Sequence, residues 1–167
     1  ASATPWGVNY EPMNDTNSNS GSWAASQMRS TTMPQYLAKL PRATQNAIGY
    51  VQKVTGTYNG SNSGGGNSVT GDKCFLLSGK EVFGGSGVGN GSYCTTTEAN
   101  ATFQYQYFQS IATTPASRNI NSSADRLWWL RSPNYNNSND FCIVYTGSSS
   151  SNNASRSFDV FAAFCIY

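Results

Sequence analysis

The stretch Leu127-Trp-Trp-Leu-Arg-Ser-Pro133 constrains this chain more than any other. Two adjacent tryptophans between leucines demand burial, because each ring removes roughly 150–250 Å² from water. A tract of Asn, Ser, Tyr and Asp follows, and the apolar end Val160-Phe-Ala-Ala-Phe-Cys-Ile-Tyr167 closes it. Core-like sequence therefore brackets a surface-like insert on both sides. That pattern implies a stiff frame holding out a polar, adaptable surface, which is a binding feature before it is a catalytic one.

Composition narrows the options. At 167 residues the chain is expected to form one domain with a real core. Charged residues make up only 11%, well under the ~25% typical of soluble domains. Solubility must therefore rest on Asn, Ser, Thr and Gly, which are cheap to desolvate and hydrogen-bond many partners. A net charge of +2, with Lys and Arg scattered, gives no electrostatic footprint for nucleic acid. No apolar run approaches the length of a membrane span. Ala1-Ser2-Ala3 carries no charged-then-apolar leader signal.

The chain has no histidine. That removes Ser-His-Asp and Cys-His catalysis, the usual zinc sites and imidazole acid–base chemistry. The eight acidic residues stand at 11, 15, 72, 81, 98, 125, 140 and 159, with no local pair to propose paired-carboxylate chemistry. No catalytic residue, metal ligand or cofactor is expected. The cysteines are Cys74, Cys94, Cys142 and Cys165, at spacings that match no metal pattern. Cys74, Cys142 and Cys165 lie in apolar runs and read best as small core hydrophobes. A bridge stays open, with Cys74–Cys94 the best-suited pairing because Cys94 lies in looser, polar sequence.

Residues 1–20 read as an irregular N-terminal segment, with alternation of Trp6, Val8 and Tyr10 hinting at a short strand. The domain proper is then 21–167. A first helix is expected from Ser22 as N-cap to about Lys39, with Pro34 dividing it and Trp23, Met28, Tyr36, Leu37 and Leu40 inward. Pro41 suits the first turn of a second helix, in which Ala47, Ile48, Val51 and Val54 recur at helical spacing. Residues 55–71 read as a flexible loop or loose hairpin, 73–78 as a buried strand, and 81–83 as a short apolar patch. The glycine run 84–91 lacks the strand–GK[ST]–helix context of a phosphate cradle. Residues 98–111 read as a helix through Phe103, Tyr107, Phe108 and Ile111. Strands are expected at 127–131, 141–145 and 160–167. The fold class is α+β, with two or three helices and a mainly antiparallel sheet carrying long loops.

Within Asn134–Asp159, 17 of 26 residues are Asn, Ser, Tyr or Asp. Ser and Asn supply adaptable hydrogen bonds, and Tyr supplies contact area at low entropy cost, the economy used by antibody loops. A solvated linker has similar composition. A linker leads elsewhere, however, whereas this tract is interrupted by Phe141-Cys-Ile-Val-Tyr145 and ends in another apolar segment.

Taken together, WWLRSP, then FC-x-V, a Gly-centred Asn/Ser run and V-x-x-A-F-C-I resemble bacterial and phage domains with a C-type-lectin-like fold. Many of these look like the variable proteins of diversity-generating retroelements. Gly21-Ser-Trp23, Met28-Arg29, Leu40-Pro41, Asp72-Lys73-x-Phe75-Leu-Leu77-Ser78 and Glu81-Val-Phe-Gly84 fit the same pattern. The resemblance covers about residues 20–166. The chain departs from it at Asp159, where Gly is usual, at Ala162, where Pro is usual, and by a deletion beside Gly147.

The resemblance implies a ligand- or receptor-binding protein whose C-terminal surface, 134–159, is diversified by adenine-directed mutagenesis of Asn codons. It would act as an adhesin on a phage tail or fibre, or on a bacterial surface, outside the cell. Its partner would be a protein or glycan on a host or neighbouring cell, and a homo-oligomer such as a trimer fits this role. The side chains expected to meet ligand are Asn134, Tyr135, Asn136, Asn137, Asn139, Asp140, Ile143, Tyr145, Ser150, Asn152, Asn153, Ser155, Arg156, Phe158 and Asp159. Tyr135, Tyr145, Arg156 and Phe158 would be the anchors, and Arg131 would cap a buried carboxylate or backbone carbonyls in the frame. Three other classes compete. A structural virion or surface-fibre protein without a dedicated ligand shares the composition. A formylglycine-generating oxidase would need reactive cysteines, and Cys142 and Cys165 sit in apolar runs. Calcium-dependent sugar binding would need a Glu-Pro-Asn-type motif, which Glu11-Pro12-Met13 lacks.

Overall fold

The structure, a computed structural model, describes residues 10–58, 66–84, 98, 104–110 and 127–167. The chain is α+β with mainly antiparallel pairing, as expected. In order, the described elements begin with β1 (Tyr10–Pro12), α1 (Ser22–Ala25), a π-helical turn (Met28–Thr32), α2 (Met33–Ala38) and α3 (Arg42–Ala47). There follow β2 (Val51–Gly56), β3 (Asn67–Asp72), α4 (Gly79–Phe83) and α5 (Gln106–Ser110). The C-terminal part carries β4 (Leu127–Pro133), β5 (Asp140–Tyr145), β6 (Ser148–Asn153) and β7 (Ser157–Asp159). A five-stranded sheet runs β1-β7-β4-β5-β6, and β2 and β3 pair separately.

The double tryptophan explains the sheet's central position. Neighbouring strand residues point to opposite faces, so Trp128 and Trp129 anchor two cores. Trp129, Phe141 and Ile143 pack with Trp23, Met28, Met33, Tyr36 and Phe75 on one face. Trp128, Leu130, Cys142 and Val144 pack with Val82, Phe83 and Phe108 on the other. In register, Trp129 faces Ile143 and Trp128 faces Val144. A sheet covered on both faces makes β5 apolar at consecutive positions rather than alternating.

Polar ties fix the frame. Arg131 is fully buried. Its Nη1 donates to Glu81 Oε2 at 2.5 Å and to the Leu76 carbonyl at 2.8 Å, its Nε to Thr55 Oγ1 at 2.8 Å, and its Nη2 to the Val54 carbonyl at 3.1 Å. Arg131 thus caps a buried carboxylate and backbone carbonyls, as its place in WWLRSP implied. Lys53 Nζ reaches the other Glu81 oxygen at 3.0 Å. Burial pushes the Glu81 carboxyl up, but Arg131 and Lys53 outweigh it and hold the group below the usual carboxylate range. Asp72 gathers a second knot: Trp23 Nε1 at 2.9 Å, Arg29 Nε at 2.7 Å and Thr70 Oγ1 at 2.5 Å.

Several local expectations change. The first helix breaks into α1, the π turn and α2, and its N-cap is Gly21 rather than Ser22. Gly21 sits at φ 73°, and a Cβ there would come within 2.4 Å of the Ala25 Cβ, so only glycine fits. The second helix ends at Ala47. Ile48 turns extended, and Val51 and Val54, at helical spacing by coincidence, lie in β2 instead. Residues 73–78 are largely buried but form no ladder strand: they carry one isolated β-bridge, Phe75 to Ala163, and accept from Arg131 at the Leu76 and Leu77 carbonyls. Residues 81–83 lie in α4, which starts with a capping box: Ser78 accepts from Glu81 N, and Glu81 accepts from Ser78 N. In α5 Phe108 is buried, whereas Tyr107 is 61% exposed and does not face inward. The 160–167 segment is not a ladder strand. Its bridges change partner from Phe75 to Ile48, so no continuous pairing builds. The serine run 148–153, in contrast, is a full strand paired along β5.

Cys142 is disulfide-bonded, while Cys74 and Cys165 are free. The Cys74–Cys94 pairing is therefore corrected, and so is the reading of Cys142 as a plain core hydrophobe. Burial, with Asp72 nearby, pushes the Cys74 thiol up to about 12. Trp6, Val8, Cys94, Phe103, Ile111 and the 85–91 glycines lie outside the described residues.

Candidate ligand-binding surface

Three loops meet at one end of the large sheet. They are 14–20 from the N-terminal segment, 134–139 between β4 and β5, and 153–157, the turn joining β6 to β7 with the strand residue on either side. Their closeness follows from strand pairing. The antiparallel β5–β6 register sets Asp140 opposite Asn153, and the Ala154 N–H donates to the Asn139 carbonyl at 2.8 Å. Pairing of β1 with β7 brings the third loop in, with Met13 N and Asn14 N donating to the Ala154 carbonyl at 2.9 and 3.1 Å.

Asn19 pins the assembly. It is fully buried, and its Nδ2 lies 3.1, 2.8 and 2.8 Å from the carbonyl oxygens of Asn134, Asn137 and Asp140. Its backbone N–H donates to the Ser138 carbonyl at 2.8 Å. Within loop 134–139, Asn134 Oδ1 accepts from Asn136 N at 3.0 Å and Asn137 Oδ1 from Asn139 N at 2.9 Å. These Asx turns hold the backbone without help from exposed side chains. Residues 10–20, expected as an irregular segment ahead of the domain, supply an edge strand and the pin.

The expected ligand-facing residues divide three ways. Asn136, Asn139, Ser155 and Arg156 are exposed at the loop end, with Tyr135, Asn137 and Asn153 half-buried beside them. Ser155 meets loop 14–20, its hydroxyl and N–H both turned to Asn17 Oδ1. Tyr145 is 49% exposed but sits at the opposite end of β5, five residue steps or about 17 Å away at ~3.4 Å per step. Ser148 pairs with it at the hairpin tip, whereas Ser150 lies opposite Ile143 at mid-strand and Asn152 opposite Phe141, next to Asn153 and the loop end.

Four of the expected contacts are buried. Ile143 is 1% exposed in the core, because β5 is covered on both faces. Asn134 is 4% exposed and donates to Ser151 Oγ at 2.9 Å. Asp140 accepts from Ser151 Oγ at 3.0 Å, and burial raises its carboxyl above the ordinary range, partly offset by that hydroxyl. Asp159 is 3% exposed and lies in register with Trp128 and Tyr10. Phe158 is half-buried, with its ring edge-on to Trp129 at 4.8 Å, so it belongs to the frame side.

The chain belongs to the DUF6273 family. That family is described as a domain of unknown function, and its match spans residues 7–167. The DUF6273 match begins ahead of β1, in keeping with the structural role of Asn19 and loop 14–20. No curated protein and no solved structure matches the chain.

Sequence reasoning missed Asn19 because it lies in an Asn/Ser run, Asn14 to Ser20, that looks uniformly solvated. The alternation Pro12-Met13-Asn14, with Met13 fully buried, was the available sign that the segment is anchored.

Proposed function

We propose that this protein is a ligand-binding module and that its recognition face is the loop end formed by 14–20, 134–139 and 153–157. In this reading the domain is C-type-lectin-like, the chain is a variable protein of a diversity-generating retroelement, and it is displayed on a phage virion or bacterial surface. The observation that carries the proposal is a separation of labour inside one tract. Side chains that hold the fold (Asn134, Asp140, Ile143, Asp159) are buried, and those that do not (Asn136, Asn139, Arg156) face water. A scaffold whose loops are held by backbone bonds, Asx turns and one buried asparagine can accept different exposed side chains. The bonded Cys142 supports an oxidising, extracellular setting.

Resequencing the 127–167 coding segment across isolates tests this reading. Replacements should concentrate at codons 136, 139, 155 and 156 and spare 19, 128–134, 140–144 and 159. Changes spread evenly over buried and exposed codons would contradict it.

A further inference from the structure

Beside the loop end lies a polar cleft of about 330 Å³, near the lower end of the ~300–1,000 Å³ range of ligand clefts. Asn14, Asp15, Thr16, Ser18, Ser20, Ala25, Gln27 and Ser30 line it. We propose that this cleft is a saccharide subsite, taking a neutral polyhydroxylated ring through hydrogen bonds alone.

The lining chemistry selects that class. Ala25 supplies the one apolar side chain, so an apolar ligand would gain little. The lining has no Lys or Arg, so a phosphate or carboxylate would meet no countercharge. A single carboxylate, Asp15, is too few hard oxygen ligands for a tightly held divalent cation. What remains is a closely spaced mixture of donors and acceptors. The Asp15 carboxylate accepts, and the hydroxyls of Thr16, Ser20 and Ser30 do both. Neighbouring sugar hydroxyls, each a donor and an acceptor, match such a mixture.

The cleft is also pre-formed, which lowers the ordering cost of binding. Gln27 Oε1 accepts from Asp15 N at 3.0 Å, Asn14 Oδ1 from Gln27 N at 2.9 Å, and Asn14 Nδ2 donates to the Ser18 carbonyl at 2.6 Å. These bonds fix the walls and leave the Asp15 carboxylate, the Gln27 Nε2 and three hydroxyls turned to solvent. Asn17, next to the cleft, touches Ser155. A glycan seated there would extend across the loop end, so an unvarying subsite would adjoin a varying one. The subsite does not depend on the diversification reading.

The test is an amide-resolved NMR titration of the full chain with methyl glucoside, N-acetylglucosamine, galactose and mannose, each added separately. At least one sugar should shift the amides of Asp15, Thr16, Ser18, Ser20 and Gln27, with half-saturation in the roughly millimolar range. Asp15→Ala, whose exposed carboxylate holds nothing in the fold, should raise that half-saturation about tenfold, as loss of a charge-assisted hydrogen bond predicts. Tyr145→Ala should leave it unchanged. The proposal is overturned if no sugar shifts these amides, if Asp15→Ala leaves the titration unaltered, or if calcium chloride shifts them and sugars do not. Even spread of replacements among isolates would sink the diversification reading and leave this result standing.

Discussion

Strands β4 and β5 and the loop end next to them are adjacent in sequence and opposite in construction. In the strands every side chain from Trp128 to Pro133 is buried, and the one cation there is tied by four hydrogen bonds. In the loop end the backbone is tied and the outward side chains hold little: Ser155 meets Asn17 and Asn139 Oδ1 lies 3.5 Å from Ser138 Oγ, while Asn136 and Arg156 face water. Rigidity and freedom to vary are thus assigned to different atoms of the same residues. A binding protein that must change partner without losing its fold needs that division, because core positions feel even a one-methylene change while exposed ones rarely move stability beyond ±0.5 kcal/mol.

The sharpest way to break the comparison is at Arg131. Arg131→Leu leaves Glu81 with Lys53 but no guanidinium, and strips Thr55 and the Val54 and Leu76 carbonyls of their buried donor. It should cost about 3–5 kcal/mol in urea unfolding. A loss under 1 kcal/mol would mean that the ionic knot does not hold the frame. The same knot sets the acid limb. The folded-state pKa of Glu81 is lowered, so its contribution is present above the ordinary glutamate value of about 4.3 and is lost as pH falls through the folded value. Stability should fall on acidification below about pH 4, and Glu81→Gln should flatten that limb while lowering stability at pH 7.

Asn19→Ala should cost about 1–3 kcal/mol, the price of leaving buried loop carbonyls unpaired. Amide exchange should quicken in 134–140 and stay slow at Trp129 and Ile143. Uniform quickening would show that loop and frame are one unit. At the hairpin tip, Thr146 and Gly147 have φ 47° and 77°. A two-residue turn of that kind favours Asn-Gly, and a β-branched residue there is strained. Thr146→Asn should raise stability by up to about 1 kcal/mol, read as a higher urea midpoint. The smallest effect is expected from Arg156→Ala, which should change unfolding by under about 0.5 kcal/mol.

Much of the frame was legible in the sequence. WWLRSP reads as a buried strand, and its arginine, next to Leu130, reads as a cap for buried acceptors in preference to a ligand contact. The capping box Ser78-x-x-Glu81 was readable too, but an apolar patch masked it. Where pattern misled, tertiary context decided. Val51 and Val54 recur at helical spacing yet pair with β3, and a run of serines forms β6 because β5 offers it a partner edge. Composition identified the tract as a surface but could not separate its buried members. Asn134 and Asp140 are spelled like their exposed neighbours, and only the strand register assigns them inward. The same uniformity hid Asn19. Register also splits the expected site, since Tyr145 and Asn136 are near in sequence and at opposite ends of β5.

On this reading the loop end accepts new side chains because it does not use them to fold. Replacing Asn136, Asn139, Ser155 and Arg156 together, by Tyr, Asp, Ile and Ser respectively, and measuring urea unfolding tests it most directly. A single cooperative transition within about 2 kcal/mol of the parent is expected, from four changes of at most ~0.5 kcal/mol each. Loss of the transition, or a drop beyond about 3 kcal/mol, would contradict it.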